Sequence, residues 1–141
     1  MSDTEQQELT GVKVLVIDDS KTIRRTAEIL LKKLGCEVLT AENGFEALAK
    51  IADYRPDVIF LDITMPRLDG YQTCSLVKRN QIFKQTPVIM LSSKQGPFDR
   101  ARGRVVGAEH YITKPFTQAD LREAIRVHVI HLDARVPSDS S

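Results

Sequence analysis

The chain has 141 residues, 20 Lys+Arg against 19 Asp+Glu and a formal charge of +1. That is room for one ordinary domain, and it excludes the global basic field that nucleic-acid binders carry. A domain of this size buries enough surface to fold without a metal or disulfide staple. Cys36 and Cys74 stand far apart with no CxxC motif, so free thiols in a reducing compartment are expected. No stretch reaches the roughly 18 apolar residues of a membrane span, and residues 1–10 lack the apolar core of a signal peptide. The expectation is a cytoplasmic protein without a membrane segment.

Residues 1–10 are polar and acidic and read as a solvated tail. Val12 to Ile17 is apolar at nearly every position, which predicts a first strand ending in Asp18-Asp19. Ser20 suits a helix cap; Ile23, Ala27, Leu30, Leu31 and Leu34 then recur at helical spacing, and Gly35 is a natural stop. Cys36 to Ala41 is a shorter, more polar strand that fits a sheet edge. Asn43-Gly44 opens a second helix with Ala47, Leu48 and Ile51 inward, closed before Arg55-Pro56.

Val58-Ile59-Phe60-Leu61 is a continuous apolar run that breaks off at Asp62, the pattern of a strand buried on both faces of a parallel sheet. Asp69-Gly70 starts a third helix through Leu76 and Val77, and Pro87 to Leu91 is another buried strand, ending in Ser92-Ser93. Pro97 suits the first turn of a fourth helix that Gly107 stops. Glu109 to Ile112 is a short last strand followed by Thr113-Lys114-Pro115-Phe116. Thr117-x-x-Asp120 is a capping-box signature for a final helix carrying Leu121, Ala124, Ile125, His128 and Val129. Residues 132–141 read as a second disordered tail, leaving a single domain over 11–131 and no expected output domain. Strands alternating with helices predict an α/β fold, a doubly wound five-stranded parallel sheet with five helices.

In such sheets ligands sit outside the carboxyl ends of the strands, and the polar residues gather there. Asp18 and Asp19 end strand one, Asp62 strand three and Ser92 strand four, with Lys114 just past strand five. Carboxylates brought this close repel one another, and a divalent cation resolves the conflict. An incomplete set of oxygen donors suits Mg²⁺, which keeps waters and takes further oxygens from a phosphate. Lys114 and Ser92 would complete a phosphoryl site, and Asp62 is the best placed nucleophile, since Asp18 and Asp19 are adjacent and better placed to hold metal.

Asp18-Asp19, Asp62, Ser92, Tyr111 and Lys114-Pro115-Phe116, in this order and spacing, resemble the receiver domain of two-component response regulators over about residues 11–131. The resemblance implies a flavodoxin-like fold with strand order 2-1-3-4-5. It implies a phosphoryl group donated to Asp62 by a sensor histidine kinase of the chemotaxis type. It implies Mg²⁺ on Asp19 and Asp62, on Asp18 through water and on the backbone carbonyl of Thr64, and a cis Lys114–Pro115 bond. Ser92 would be the switch hydroxyl, Tyr111 the switch aromatic, and Lys114 the phosphoryl partner. Thr64 and Lys94 would flank the phosphoryl group and tune its lifetime. A protein effector would dock on helix four, strand five and helix five. Ser93-Lys94-Gln95-Gly96-Pro97-Phe98-Asp99-Arg100-Ala101-Arg102-Gly103, with Tyr111 to Phe116, is similar to the stand-alone receivers of the type IV pilus (twitching motility) chemosensory system.

Other readings compete. A haloacid-dehalogenase-like phosphotransferase would want a second Asp where Thr64 stands, and an FMN module would want a Ser/Thr-rich loop where Asp18-Asp19 would repel phosphate. A phosphate sink for a shared kinase and a phosphate-independent relic share the same architecture. His128 and His131 form an i, i+3 pair, for which packing or solvent exposure outweighs metal binding. His110 stands alone. Arg100, Arg102, Arg104, Arg122 and Arg126 make the last two helices basic, either as a solvated face or towards an acidic partner.

Overall fold

The computed structural model describes residues 9–93 and 97–129. The elements run in chain order as β1 (Lys13–Ile17), α1 (Lys21–Lys33), β2 (Glu37–Ala41), α2 (Gly44–Tyr54), β3 (Val58–Asp62), α3 (Gly70–Arg79), β4 (Val88–Ser92), α4 (Pro97–Val105), β5 (His110–Thr113) and α5 (Gln118–His128). The strands form one parallel sheet in the order β2-β1-β3-β4-β5. Fold class, strand order and the edge position of β2 are as the sequence led us to expect.

The caps follow from side-chain chemistry. Ser20, Asn43, Asp69 and Thr117 each accept a hydrogen bond from a backbone N–H of the first turn they precede, and Asp69 and Thr117 close full capping boxes with Gln72 and Asp120. Gly35 and Gly107 stop α1 and α4 with φ of +95° and +97°, a region that glycine enters without a Cβ penalty.

The period-two alternation of the central strands sorts their side chains between two cores. Val14, Val16, Val58, Phe60, Ile89 and Leu91 pack with Ala27 and Leu31 of α1 and Leu121 and Ile125 of α5. Leu15, Ile17, Ile59, Leu61, Val88 and Met90 pack on the other face with Ala47 and Ile51 of α2 and Tyr71, Cys74 and Val77 of α3. Burial on both faces is why β1, β3 and β4 read as unbroken apolar runs. Cys36 and Cys74 are buried free thiols, and burial pushes each up to about 12, far from the reactive range.

The N-terminal edge needs a correction. Leu9 and Thr10, expected in the solvated tail, belong to the fold: Leu9 is buried against the α1–α5 core and its N–H donates to Leu34 O at 3.1 Å. A lone leucine after a polar run has no periodicity to reveal it. It is covered because the backbone at Leu9 and Gly11 pairs with the α1–β2 turn. The expected tails, over residues 1–8 and 132–141, and Lys94 and His131 lie outside the described residues.

Candidate functional site

Asp62 is the last residue of β3, and the strand ends beside it bring in the rest. Asp18 follows β1 and is fully buried; Asp19, next to it, is exposed. Carboxylate oxygens of Asp18, Asp19 and Asp62 lie within 4.8 Å of one another. Asp18 is fixed from several sides. Its Oδ1 accepts from Ser20 N at 2.9 Å, and its carbonyl accepts from Arg24 Nη1 at 2.7 Å. Ser20 thereby starts α1 and ties the first carboxylate down.

Lys114 enters from beyond β5, after which the peptide bond to Pro115 is cis. Its N–H donates to Ser92 O at 2.8 Å, continuing the β4–β5 ladder in which Ser92 is in register with Thr113. Its ammonium lies 3.0 Å from Asp62 Oδ1, a hydrogen bond, and 2.8 Å from Asp18 Oδ2, an ion-pair contact off the hydrogen-bonding direction. Fully buried, Asp18 Oδ2 thus has no hydrogen-bond partner among the described residues. The Thr64 N–H donates to Asp62 Oδ1 at 3.3 Å, which sets the Thr64 peptide at the rim of the cluster. Ser92 is buried at the end of β4.

Burial pushes Asp62 up to about 6; Lys114 pulls the other way, but the Asp18 charge adds to the upward shift. For Lys114, burial opposes the charged form, yet the close carboxylates of Asp18 and Asp62 hold it above the ordinary lysine range. One cation therefore faces an acidic trio it does not neutralise. The buried Asp18 oxygen that takes no hydrogen bond and the all-oxygen donor set fit a hard divalent cation such as Mg²⁺.

Two residues that build the site were not singled out from the sequence. Gly70, read there only as a helix start, lets the β3–α3 loop fold back: a Cβ there would run into Asp62 O and into Ile63 Cα, 2.7 Å away. The Gly70 N–H donates to Ile63 O at 2.9 Å. Arg24 shows nothing in the sequence beyond a charge on the first turns of α1, and only the fold turns it onto the Asp18 carbonyl. Between these two points, Arg67 takes a left-handed φ of 65° while Leu68 N donates to Pro66 O at 2.7 Å, a three-residue turn that reverses the loop.

Tyr111 lies apart from the acidic cluster. It sits on β5 beside Met90, half-buried among the α2–α3 core residues, with the Arg100 guanidinium 5.3 Å from its ring centre. His128 pairs across the fold: it stacks on His110 of β5, with ring centres 5.1 Å apart and planes at 28°. Burial first, then the neighbouring His128 and Arg100, lowers His110 below the ordinary imidazole range.

The sequence matches the response regulator receiver domain family over residues 14–126. It is 66% identical over 124 residues to the protein PilG of Pseudomonas aeruginosa, covering 88% of this chain and 92% of that protein. Among solved structures it is similar to the Vibrio cholerae chemotaxis protein CheY4, with 36% identity, a TM-score of 0.81, and 84% of this chain and 99% of that one covered. It is also similar to the receiver domain of the sensor histidine kinase PA1611 of Pseudomonas aeruginosa, which holds a magnesium ion in its active-site cleft. There the identity is 26% and the TM-score 0.78, with 85% of this chain and 98% of that one covered.

Proposed function

The chain belongs to the response regulator receiver domain family, and on that premise we propose that it is a phosphorylation-driven binding switch with Asp62 as phosphoacceptor. The observation that carries this reading is the buried Asp62 carboxylate held by Lys114 at 3.0 Å within an acidic trio. Among the described residues, both hydrogen bonds to the Asp62 carboxylate arrive at Oδ1, from Lys114 Nζ and Thr64 N, which favours Oδ2 as the attacking oxygen.

In the transfer, an Asp62 oxygen forms a bond to the phosphorus of a phosphohistidine. The P–N bond breaks, and the kinase imidazole leaves with a proton from solvent. Lys114 sits where it can stay paired with Asp62 and meet a phosphoryl oxygen, the positioning and charge neutralisation that phosphoryl transfer needs. Mg²⁺, held by Asp18, Asp19 and Asp62 with the Thr64 carbonyl, would supply charge neutralisation at the phosphoryl oxygens. Ser92 would donate its hydroxyl to the phosphoryl group, and Tyr111 would change orientation as the Ser92 loop is drawn in. The result is a population shift on the face formed by α4, β5 and α5, where a protein effector docks. Thr64 and Lys94 would tune how long the phosphoryl group lasts.

The identity to PilG and the likeness of the β4–α4 stretch to pilus receivers support a place in a type IV pilus (twitching motility) chemosensory system. The kinase would then be of the chemotaxis type. Among the described residues no helix is long and apolar enough to cross a membrane, and a cytoplasmic location belongs to the same proposal.

Intact mass after incubation with a small phosphodonor and Mg²⁺ tests the reading. One labile phosphoryl adduct is expected on the wild type, absent with EDTA and absent in Asp62→Asn. An adduct that persists in Asp62→Asn, or none on the wild type even with the cognate kinase, would overturn it.

A further inference from the structure

Helix α4 is held unlike the other helices. Its sequence, PFDRARGRV, carries three arginines and an aspartate, and Gly103 is its one buried residue among those whose burial is described. The apolar contact at Gly103 is slack, since an added Cβ would meet nothing nearer than Met90 Cγ at 3.8 Å and Ala108 Cβ at 3.9 Å. Along the α4–β5 junction runs a cavity of about 180 Å³ lined by Met90, Gly103, Ala108 and Tyr111, with Arg100 and Arg104 above it.

From its described part, α4 offers two guanidinium groups to two tyrosine rings. Arg102 lies 4.3 Å from the ring centre of Tyr71 on α3, and Arg100 lies 5.3 Å from that of Tyr111 on β5. Residues two apart on a helix point about 200° away from each other, so the stacks grip α4 from opposite sides. They are not equivalent. Tyr71 is buried and its hydroxyl donates to Asp99 O at 3.2 Å, so its ring is pinned to α4 as well as to α3. Tyr111 is half-buried on an edge strand and borders the cavity, so its ring has adjacent space to move into.

We infer that Arg100 is a positioning residue for Tyr111: its guanidinium holds the ring in the orientation seen here and so sets how readily the α4–β5 face responds to phosphorylation of Asp62. This role presupposes the phosphoryl switch proposed above. A contact present in one of two states biases the equilibrium towards that state by its full energy. Exposed cation–π contacts are of a size that shifts a population about two- to fivefold. Arg102, stacked on a ring that is already pinned, fixes the placement of α4 and not the orientation of Tyr111.

The test uses the whole chain with fluorotyrosine incorporated, titrated with the phosphate mimic beryllofluoride at saturating Mg²⁺. Arg100→Ala should bind the mimic about two- to fivefold more tightly than wild type. Without mimic, its Tyr111 fluorine signal should move towards the mimic-bound position. Arg100→Lys, which keeps a cation over the ring, should stay near wild type, and Arg100→Ala should have no further effect in a Tyr111→Ala background. Wild-type affinity and an unmoved signal in Arg100→Ala, or weaker binding, would overturn the role of Arg100 and leave the switch standing. Failure of the wild type itself to bind the mimic would remove the switch and this role together.

Discussion

Strands β3 and β5 flank β4 in one parallel sheet, yet all five residues of β3 are buried, whereas β5 has one buried residue of four. The helices over them differ in the same sense. Around β3, side chains of α1 and α5 on one face and of α2 and α3 on the other close two apolar cores. Beside β5, the described contacts of α4 are a buried glycine and arginine–tyrosine stacks onto Tyr111 of β5 and Tyr71 of α3, next to a cavity. The acidic rim, where positions must hold to a few tenths of an ångström, stands on the part of the sheet that is packed like a crystal. The proposed output face stands on contacts of the size of a cation–π pair, each worth about 0.5–1 kcal/mol, so that modest energies can move it. The acidic rim and the α4–β5 side share one sheet and differ in how tightly each is packed.

Mutations can break or sharpen this contrast. The largest effect is expected for Phe60→Ala. It empties a fully buried site at the centre of the α1–α5 core and should cost about 3–5 kcal/mol in denaturant melts. A loss under 1 kcal/mol would show that β3 is not the rigid base described. Next comes Lys114→Ala, which leaves Asp18 and Asp62 buried without their cation. Breaking such a pair should cost about 3 kcal/mol at neutral pH without metal, and added Mg²⁺ should restore much of it. A loss that Mg²⁺ leaves untouched would separate the acidic trio from metal binding.

Asp62→Asn should act in the opposite direction. The folded Asp62 titrates at about 6, above its ordinary value of 3.8. Stability from the protonated carboxyl is therefore full below about pH 4 and lost as pH rises through about 6. Asparagine stays neutral throughout, so without metal the variant should match wild type near pH 4 and exceed it by about 2–3 kcal/mol above pH 7. Equal stability of the two proteins at pH 7.5 would rule out a strained carboxylate. The smallest effect is expected at Val105→Ala on α4, 84% exposed, which should stay within about 0.5 kcal/mol.

Much of this protein was legible in the sequence because it depends on short-range pattern. The apolar runs, each ending in an acid or a hydroxyl, gave the strands and the polar residues at their ends; Ser20, Asn43, Asp69 and Thr117 gave the helix starts; Gly35 and Gly107 gave two of the stops. Asp18, Asp19, Asp62, Ser92 and Lys114 could be collected because in a parallel sheet all strand ends share one rim. What the sequence could not supply are pairings between elements whose relative placement no local period encodes. Leu9 is buried only because the α1–β2 turn accepts its backbone, and Gly70 matters only because the loop it ends returns to the Asp62 carbonyl. His128 meets His110 because α5 lies across β5, and Arg100 and Arg102, alike in a row of basic residues, are told apart only by which tyrosine each one covers. Local spacing determined the elements and the residues of the rim, because backbone and side-chain periods act within a few residues. Docking of those elements decided which charges are left uncompensated and which rings are held, because only packing brings distant residues within reach of one another.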